Sequence, residues 1–201
     1  MEFIDPRKTT YVPVKSRGEL PHLYKPGSYY FVTFRLADAV LTRKRRDQSP
    51  SYYGAIDPRD LLSDYDPPIT LGSCALGNSN VASMTQQAIL HFNETRYQLV
   101  AWCIMPNHVH VVFSPVDGHC PSDILRSWKG FTARAANKIL KINGTFWERE
   151  SFDHLIRTAD SVERFADYVE NNPVEAGLCD KPSDWLYSSA GSGFQSPLGD
   201  R

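Results

Sequence analysis

Short segments follow one another in the order strand, helix, strand, strand, helix, strand, and this order predicts an α+β fold. The expected form is a ferredoxin-like βαββαβ sandwich with an antiparallel sheet, plus an additional C-terminal helix. Three observations carry the prediction. Apolar periodicity switches repeatedly between two and 3.6 residues. Only the turn signal "PN" separates two central strand-like runs, a link that suits antiparallel neighbours. No internal repeat or second composition block divides the 201 residues.

Residues 1–27 are polar and proline-rich and read as an N-terminal arm. "SYYFVTFRL" (28–36) is a β-branched and aromatic run, hence a strand. Residues 42–78 lose all periodicity and contain Pro50, Pro58, Pro67 and Pro68, which marks an insertion with one short helix near 57–64. Residues 79–92 place Val81, Met84, Ala88, Ile89 and Phe92 on one helical face. "RYQLVAWCIM" (96–105) and "HVHVVFSP" (108–115) form the predicted hairpin.

A helix over 121–140 starts near Pro121 and turns Ile124, Leu125, Trp128, Phe131, Ala135 and Ile139 inward. "SFDHLIRT" (151–158) is the fourth strand. The last helix, 160–172, begins with an Asp160/Glu163 capping pair and is closed by Pro173 and Gly177. The tail is expected to be irregular, with 191–201 disordered.

Composition bounds the function classes. The apolar fraction of 41% and charged fraction of 22% are those of an ordinary globular protein, and the formal net charge of −1 gives no general signal for nucleic acid. Any such reading must rest on local chemistry. Cys74, Cys103, Cys120 and Cys179 form no CxxC pair, so neither a zinc ribbon nor a disulfide framework is expected. The first residues hold no apolar core of signal-peptide length, and the longest apolar runs are too short to span a bilayer. A cytoplasmic protein without membrane contact is expected.

Two histidines in the predicted hairpin strand stand out. His108 and His110 are two apart, so they share one face while Val109 and Val111 take the other. Both imidazoles can reach one divalent ion, provided a third ligand comes from elsewhere. The alternative is two satisfied histidines on a sheet face. Position 112 is Val, so the further histidine of a histidine-triad nucleotide hydrolase is missing.

In the last helix, Tyr168 and Asn172 are stacked at i and i+4 on a flank that borders the apolar stripe. A border tyrosine and a helix-ending asparagine would look the same. Taken with the histidines, the set is a candidate reaction centre of two imidazoles, a carboxamide and a phenol. A metal can polarise a phosphodiester, and a tyrosine oxygen can attack phosphorus.

Other cations offer phosphate contacts. Arg43, Lys44, Arg45 and Arg46 form a run beside the first strand, Lys129 lies on the 121–140 helix, and Arg157 closes "DHLIR". Each has the plainer reading of a solvated surface charge. Tyr52, Tyr53 and Trp147 are candidates for stacking on unpaired bases.

"AWCIMPNHVHVVF" followed by "YVENNPVEAGL" resembles the REP-associated tyrosine transposases, relatives of the single-tyrosine HUH insertion-sequence transposases. "YYFVTFRL", "FWERESFDHLIR" and "WLYSSA" agree as well, so the resemblance covers a domain of roughly residues 28–190. It implies cleavage and rejoining of single-stranded DNA near hairpins, with Mg²⁺ or Mn²⁺, through a 5′-phosphotyrosine. It implies His108 and His110 as metal ligands, Tyr168 as nucleophile, and Asn172 in the place of an amide ligand that is usually Gln in the insertion-sequence relatives. The insertion at 42–78 departs from the compact members. A monomer is favoured over a homodimer. The competing expectations are a DNA-hairpin-binding protein that does not cut, and a nucleotide phosphodiesterase.

Overall fold

The computed structural model describes residues 12–13, 23–24, 27–39, 57–62 and 67–199. The basic run at 43–46, Tyr52 and Tyr53 lie outside the described residues. Two short strands, Val12–Pro13 (β1) and Leu23–Tyr24 (β2), pair with each other. The main sheet consists of Tyr29–Arg35 (β3), Tyr97–Ile104 (β4), His108–Pro115 (β5) and Phe152–Ile156 (β6), in the order β4-β5-β3-β6 and antiparallel throughout. This is the strand order of the expected ferredoxin-like sandwich.

Helices Ser79–Leu90 (α2) and Pro121–Leu140 (α3) cover one face. Ala159–Glu175 (α4) covers the other, while Pro58–Leu62 (α1) lies against α4. No helix among the described residues is long and apolar enough to cross a membrane.

The sheet is covered on both sides, so β3 is buried along its whole length. Tyr30, Val32 and Phe34 pack towards α2 and α3, and Tyr29 and Phe31 towards α4. By the same alternation Thr33 and Arg35, the only polar residues of the strand, face α4. On β5, Val109, Val111 and Phe113 join the α2/α3 core, which leaves His108 and His110 on the α4 side as expected. A bulge between Leu99 and Ala101 turns both Val100 and Ala101 towards α4 and then restores Trp102 and Ile104 to the other core. On α4, Val162, Phe165 and Val169 are buried, and each contributes roughly 1.5–3 kcal/mol.

Several expectations need correction. On α3 the buried positions are Pro121, Ile124, Leu125, Trp128, Thr132 and Ala136, whereas Ala135 is half-buried and Phe131 and Ile139 are exposed. Thr132 tolerates burial because its hydroxyl donates to Trp128 O and accepts from Trp147 Nε1. That bond also holds Trp147 in the core, edge-on to Phe34, away from any base.

The N-cap of α4 is Thr158, which accepts from Ser161 N, rather than Asp160. The helix continues through Pro173 to Glu175. Gly177, at φ 68°, then closes it with Gly177 N donating to Val174 O and Leu178 N to Pro173 O.

Residues 191–199 are packed in place, contrary to the expected disorder. Phe194 meets Trp102 edge-to-face at 4.6 Å, and Ser196 Oγ donates to Val100 O. Just before them, Ser189 N donates to Trp102 O and Ile104 N to Tyr187 O. The tail thus covers the outer edge of β4, which would otherwise present unpaired backbone groups. The four cysteines form no disulfide, as expected.

Candidate active site

The register of β3 against β5 sets Thr33 opposite His110 and Arg35 opposite His108, all four on the α4 face. The imidazole Nε2 atoms of His108 and His110 face each other at 3.0 Å. Their Nδ1 atoms are each held from behind. His108 Nδ1 bonds Asn107 Oδ1 at 2.8 Å, and His110 Nδ1 bonds Thr33 Oγ1 at 2.7 Å.

Asn107 is itself fixed, because its Nδ2 donates to Pro68 O and Leu71 O. Its Oδ1 must therefore accept, so His108 carries its proton on Nδ1 and presents a lone pair at Nε2. For the pair to bond, His110 Nε2–H donates and His110 Nδ1 accepts from the Thr33 hydroxyl.

Burial pushes the His110 pKa down to about 3, so that ring is suited to neutral, ligating use at ordinary pH. Holding an ion on both Nε2 atoms requires the His110 proton to sit on Nδ1. The Thr33 hydroxyl accommodates this by accepting instead of donating.

α4 brings the remaining groups. The Tyr168 ring lies 5.6 Å from the His110 ring and 6.2 Å from Phe31, edge-on to both. It is only 6% exposed, more buried than a border residue. Asn172 Nδ2 donates to the Tyr168 hydroxyl at 3.3 Å, which leaves the Asn172 carboxamide oxygen as an acceptor. Asn172 is half-buried, so this end of α4 is where the phenol approaches solvent.

The structure therefore brings His108, His110, Tyr168 and Asn172 to one place. The donor set fits a divalent ion: two neutral imidazoles and an amide oxygen, with the imidazoles oriented by hydrogen bonds from behind. No cluster of three or more His, Cys, Asp or Glu suited to a metal occurs among the described residues, and the Asn172 carboxamide oxygen is the amide-type donor on the neighbouring helix.

The expected phosphate contacts fare differently. Lys129 Nζ donates to Arg149 O, Glu150 O and Ser151 Oγ, so its three N–H groups already have acceptors. Burial lowers its pKa to about 8. It clasps the turn into β6 instead of facing solvent.

Arg157 follows Ile156, which pairs with Tyr29, whereas His110 pairs with Thr33. This puts Arg157 at the far end of the sheet, roughly 15 Å along the strands from the imidazoles. There it helps, after burial, to lower the His154 pKa to about 4.

Sequence reasoning missed Thr33, Asn107 and Arg59. Thr33 carried a signal, being polar in an apolar strand two residues from Arg35. Asn107 gives only a turn signal in the sequence. Arg59, on α1, donates from Nε and Nη2 to Glu175 Oε1 on α4. Nothing local foretells a contact 116 residues apart.

Residues 78–172 match the family described as "Transposase IS200 like". A Haemophilus influenzae protein named as a REP-associated tyrosine transposase is 28% identical over 103 residues, which is 46% of this chain and 58% of that protein. The chain thus spans little more than half the length of this relative. Among solved structures, that of a REP-associated tyrosine transposase bound to a REP hairpin superposes with a TM-score of 0.56 at 18% identity. The alignment covers 92% of this chain and 98% of the other, and at that identity it shows a shared fold.

Proposed function

Taking as premise a chain that resembles the REP-associated tyrosine transposases in its motifs, its matched segment and its fold, we propose that it is a DNA transposase. It cleaves and rejoins single strands near hairpins, with Tyr168 as nucleophile. The observation that carries this reading is the placement of the Tyr168 ring 5.6 Å from an imidazole whose Nε2 converges with a second at 3.0 Å.

His108, His110 and Asn172 would hold the ion. Bound Mg²⁺ or Mn²⁺ would offset the charge that builds on the phosphoryl oxygens. The Tyr168 oxygen forms a bond to phosphorus and the phenol loses its proton. The P–O3′ bond breaks, and the 3′ oxygen takes up a proton and leaves as a hydroxyl.

One phosphodiester has replaced another, so a 3′ hydroxyl can reverse the step and rejoin the strand. Asn172 Nδ2, bonded to the phenol oxygen, orients it towards the partly open end of α4. Phe31 meets the ring edge-on at 6.2 Å and is itself packed against Phe165.

The burial of Tyr168 favours a second reading, a protein that binds hairpins without cutting them. A labelled hairpin oligonucleotide incubated with the protein and Mn²⁺ separates the readings. Transposase chemistry gives a slow-migrating protein–DNA band resistant to denaturation. A shift that vanishes on denaturation leaves only binding, and release of a free 5′ phosphate indicates hydrolysis.

A further inference from the structure

We propose that Arg59 is a substrate-phosphate contact at the mouth of the Tyr168 site, held on Glu175 until DNA displaces that carboxylate. The inference rests on the strand-cleaving reading above. Arg59 lies in the stretch read from sequence as an insertion, yet α1 packs on α4 and Leu61 joins the core around Tyr168.

Glu175 is three residues beyond Asn172 and seven beyond Tyr168, two turns along the same helix face. Through its bond to Glu175 and the packing of α1 on α4, the guanidinium is held beside the last turn of the helix that carries Tyr168 and Asn172.

Its donors are only partly engaged. Nε and Nη2 share one oxygen of Glu175, and Nη1 is 3.9 Å from Asp57 Oδ1, too far for a hydrogen bond. A guanidinium has five N–H groups, so three have no acceptor among the described residues. The side chain is 58% exposed and that of Glu175 is 40% exposed, so the pair is weak and a phosphate can replace the carboxylate at little cost.

A cation is needed at this point. A phosphodiester arriving at the Tyr168 hydroxyl meets the C-terminal end of α4, where the helix dipole and Glu175 are both negative. Arg59 offsets that field and offers a planar fork to phosphate oxygens. Lys129 is occupied and Arg157 lies at the other end of the sheet, so neither supplies this charge here.

The test uses the full chain and a labelled single-stranded oligonucleotide with one hairpin and a short tail. Arg59→Gln should lower the slope of log K against log salt by about 0.7–0.9, the effect of one lost phosphate contact. It should slow adduct formation by about tenfold. Arg59→Lys should restore the slope and part of the rate. Glu175→Gln removes the same clasp between α1 and α4 but leaves the cation, so it should bind at least as tightly as wild type.

Equal losses in Arg59→Gln and Glu175→Gln with an unchanged salt slope would make Arg59 a clasp only and overturn the proposal. A wild type that binds and cuts, matched by Arg59→Gln, overturns this inference alone. A wild type that does not bind the oligonucleotide removes the strand-cleaving reading and Arg59's role with it.

Discussion

His108 Nε2 and His110 Nε2 lie 3.0 Å apart, each backed at Nδ1 by a side chain of fixed orientation. The backing groups differ in origin. Thr33 comes from the neighbouring strand, and Asn107 is held by the carbonyls of Pro68 and Leu71. The segment before α2 is therefore built into the orientation of a candidate ligand.

Removing the backing should weaken ion binding. Asn107→Leu is expected to lower Mn²⁺ affinity by about 10–100-fold, and Thr33→Val by a similar or smaller factor. Calorimetric or EPR titration of Mn²⁺ measures this without DNA. Asn107→Leu also leaves two carbonyls without their donor, so a stability loss of about 1–3 kcal/mol should accompany it. Wild-type Mn²⁺ affinity in both variants would mean that the imidazoles are oriented by something else.

Stability should decline in mild acid. The folded pKa of His154 is about 4 and that of His110 about 3, both below the ordinary 6.5. As pH falls, the unfolded chain takes up protons first, so the stability present at pH 7 is lost from about 6.5 downwards to about 4 for His154 and to about 3 for His110. His154→Phe keeps a ring against Phe165 and removes one titration. Melting temperatures at pH 7, 5.5 and 4.5 should fall less steeply in that variant, and an identical slope would refute the assignment.

Lys129→Met separates a structural role from DNA contact. Three acceptors in the turn into β6 lose their donor, which costs about 1–3 kcal/mol in chemical denaturation. The salt slope of oligonucleotide binding should not change. A slope reduced by about one would restore Lys129 to the list of phosphate contacts.

Gly191→Ala should release the tail from β4. A Cβ there would meet Trp185 O at 2.0 Å, a clash with backbone that no rotamer change relieves. Limited proteolysis should then cut within 185–199 while the rest of the domain persists. A protected tail with unchanged melting would show that the backbone shifts easily.

Strong local periodicity made much of the fold legible. The bounds of β5 and α3 agree with the sequence reading, and the HxH alternation placed both imidazoles on the correct face. Reading failed where one residue outweighed the pattern. The large apolar Phe131 and Ile139 drew the α3 stripe to the wrong flank because Thr132 hides its polarity in two hydrogen bonds. Pro173 looked like a stop, yet it gives up only its own N–H, and the closing geometry belongs to Gly177.

At the site, Tyr168 and Asn172 could be paired from helical spacing alone. Arg59 and the Asn107 clasp could not, since both depend on contacts made only after the chain has closed.

The central claim is that the Tyr168 oxygen attacks phosphorus, and peptide mapping by mass spectrometry tests it most directly. After incubation with Mn²⁺ and a hairpin oligonucleotide, followed by nuclease and protease digestion, the peptide containing Tyr168 should carry a 5′-linked nucleotide on its phenol oxygen, and Tyr168→Phe should yield no adduct. A nucleotide on any other residue, or an adduct that survives Tyr168→Phe, would contradict the account.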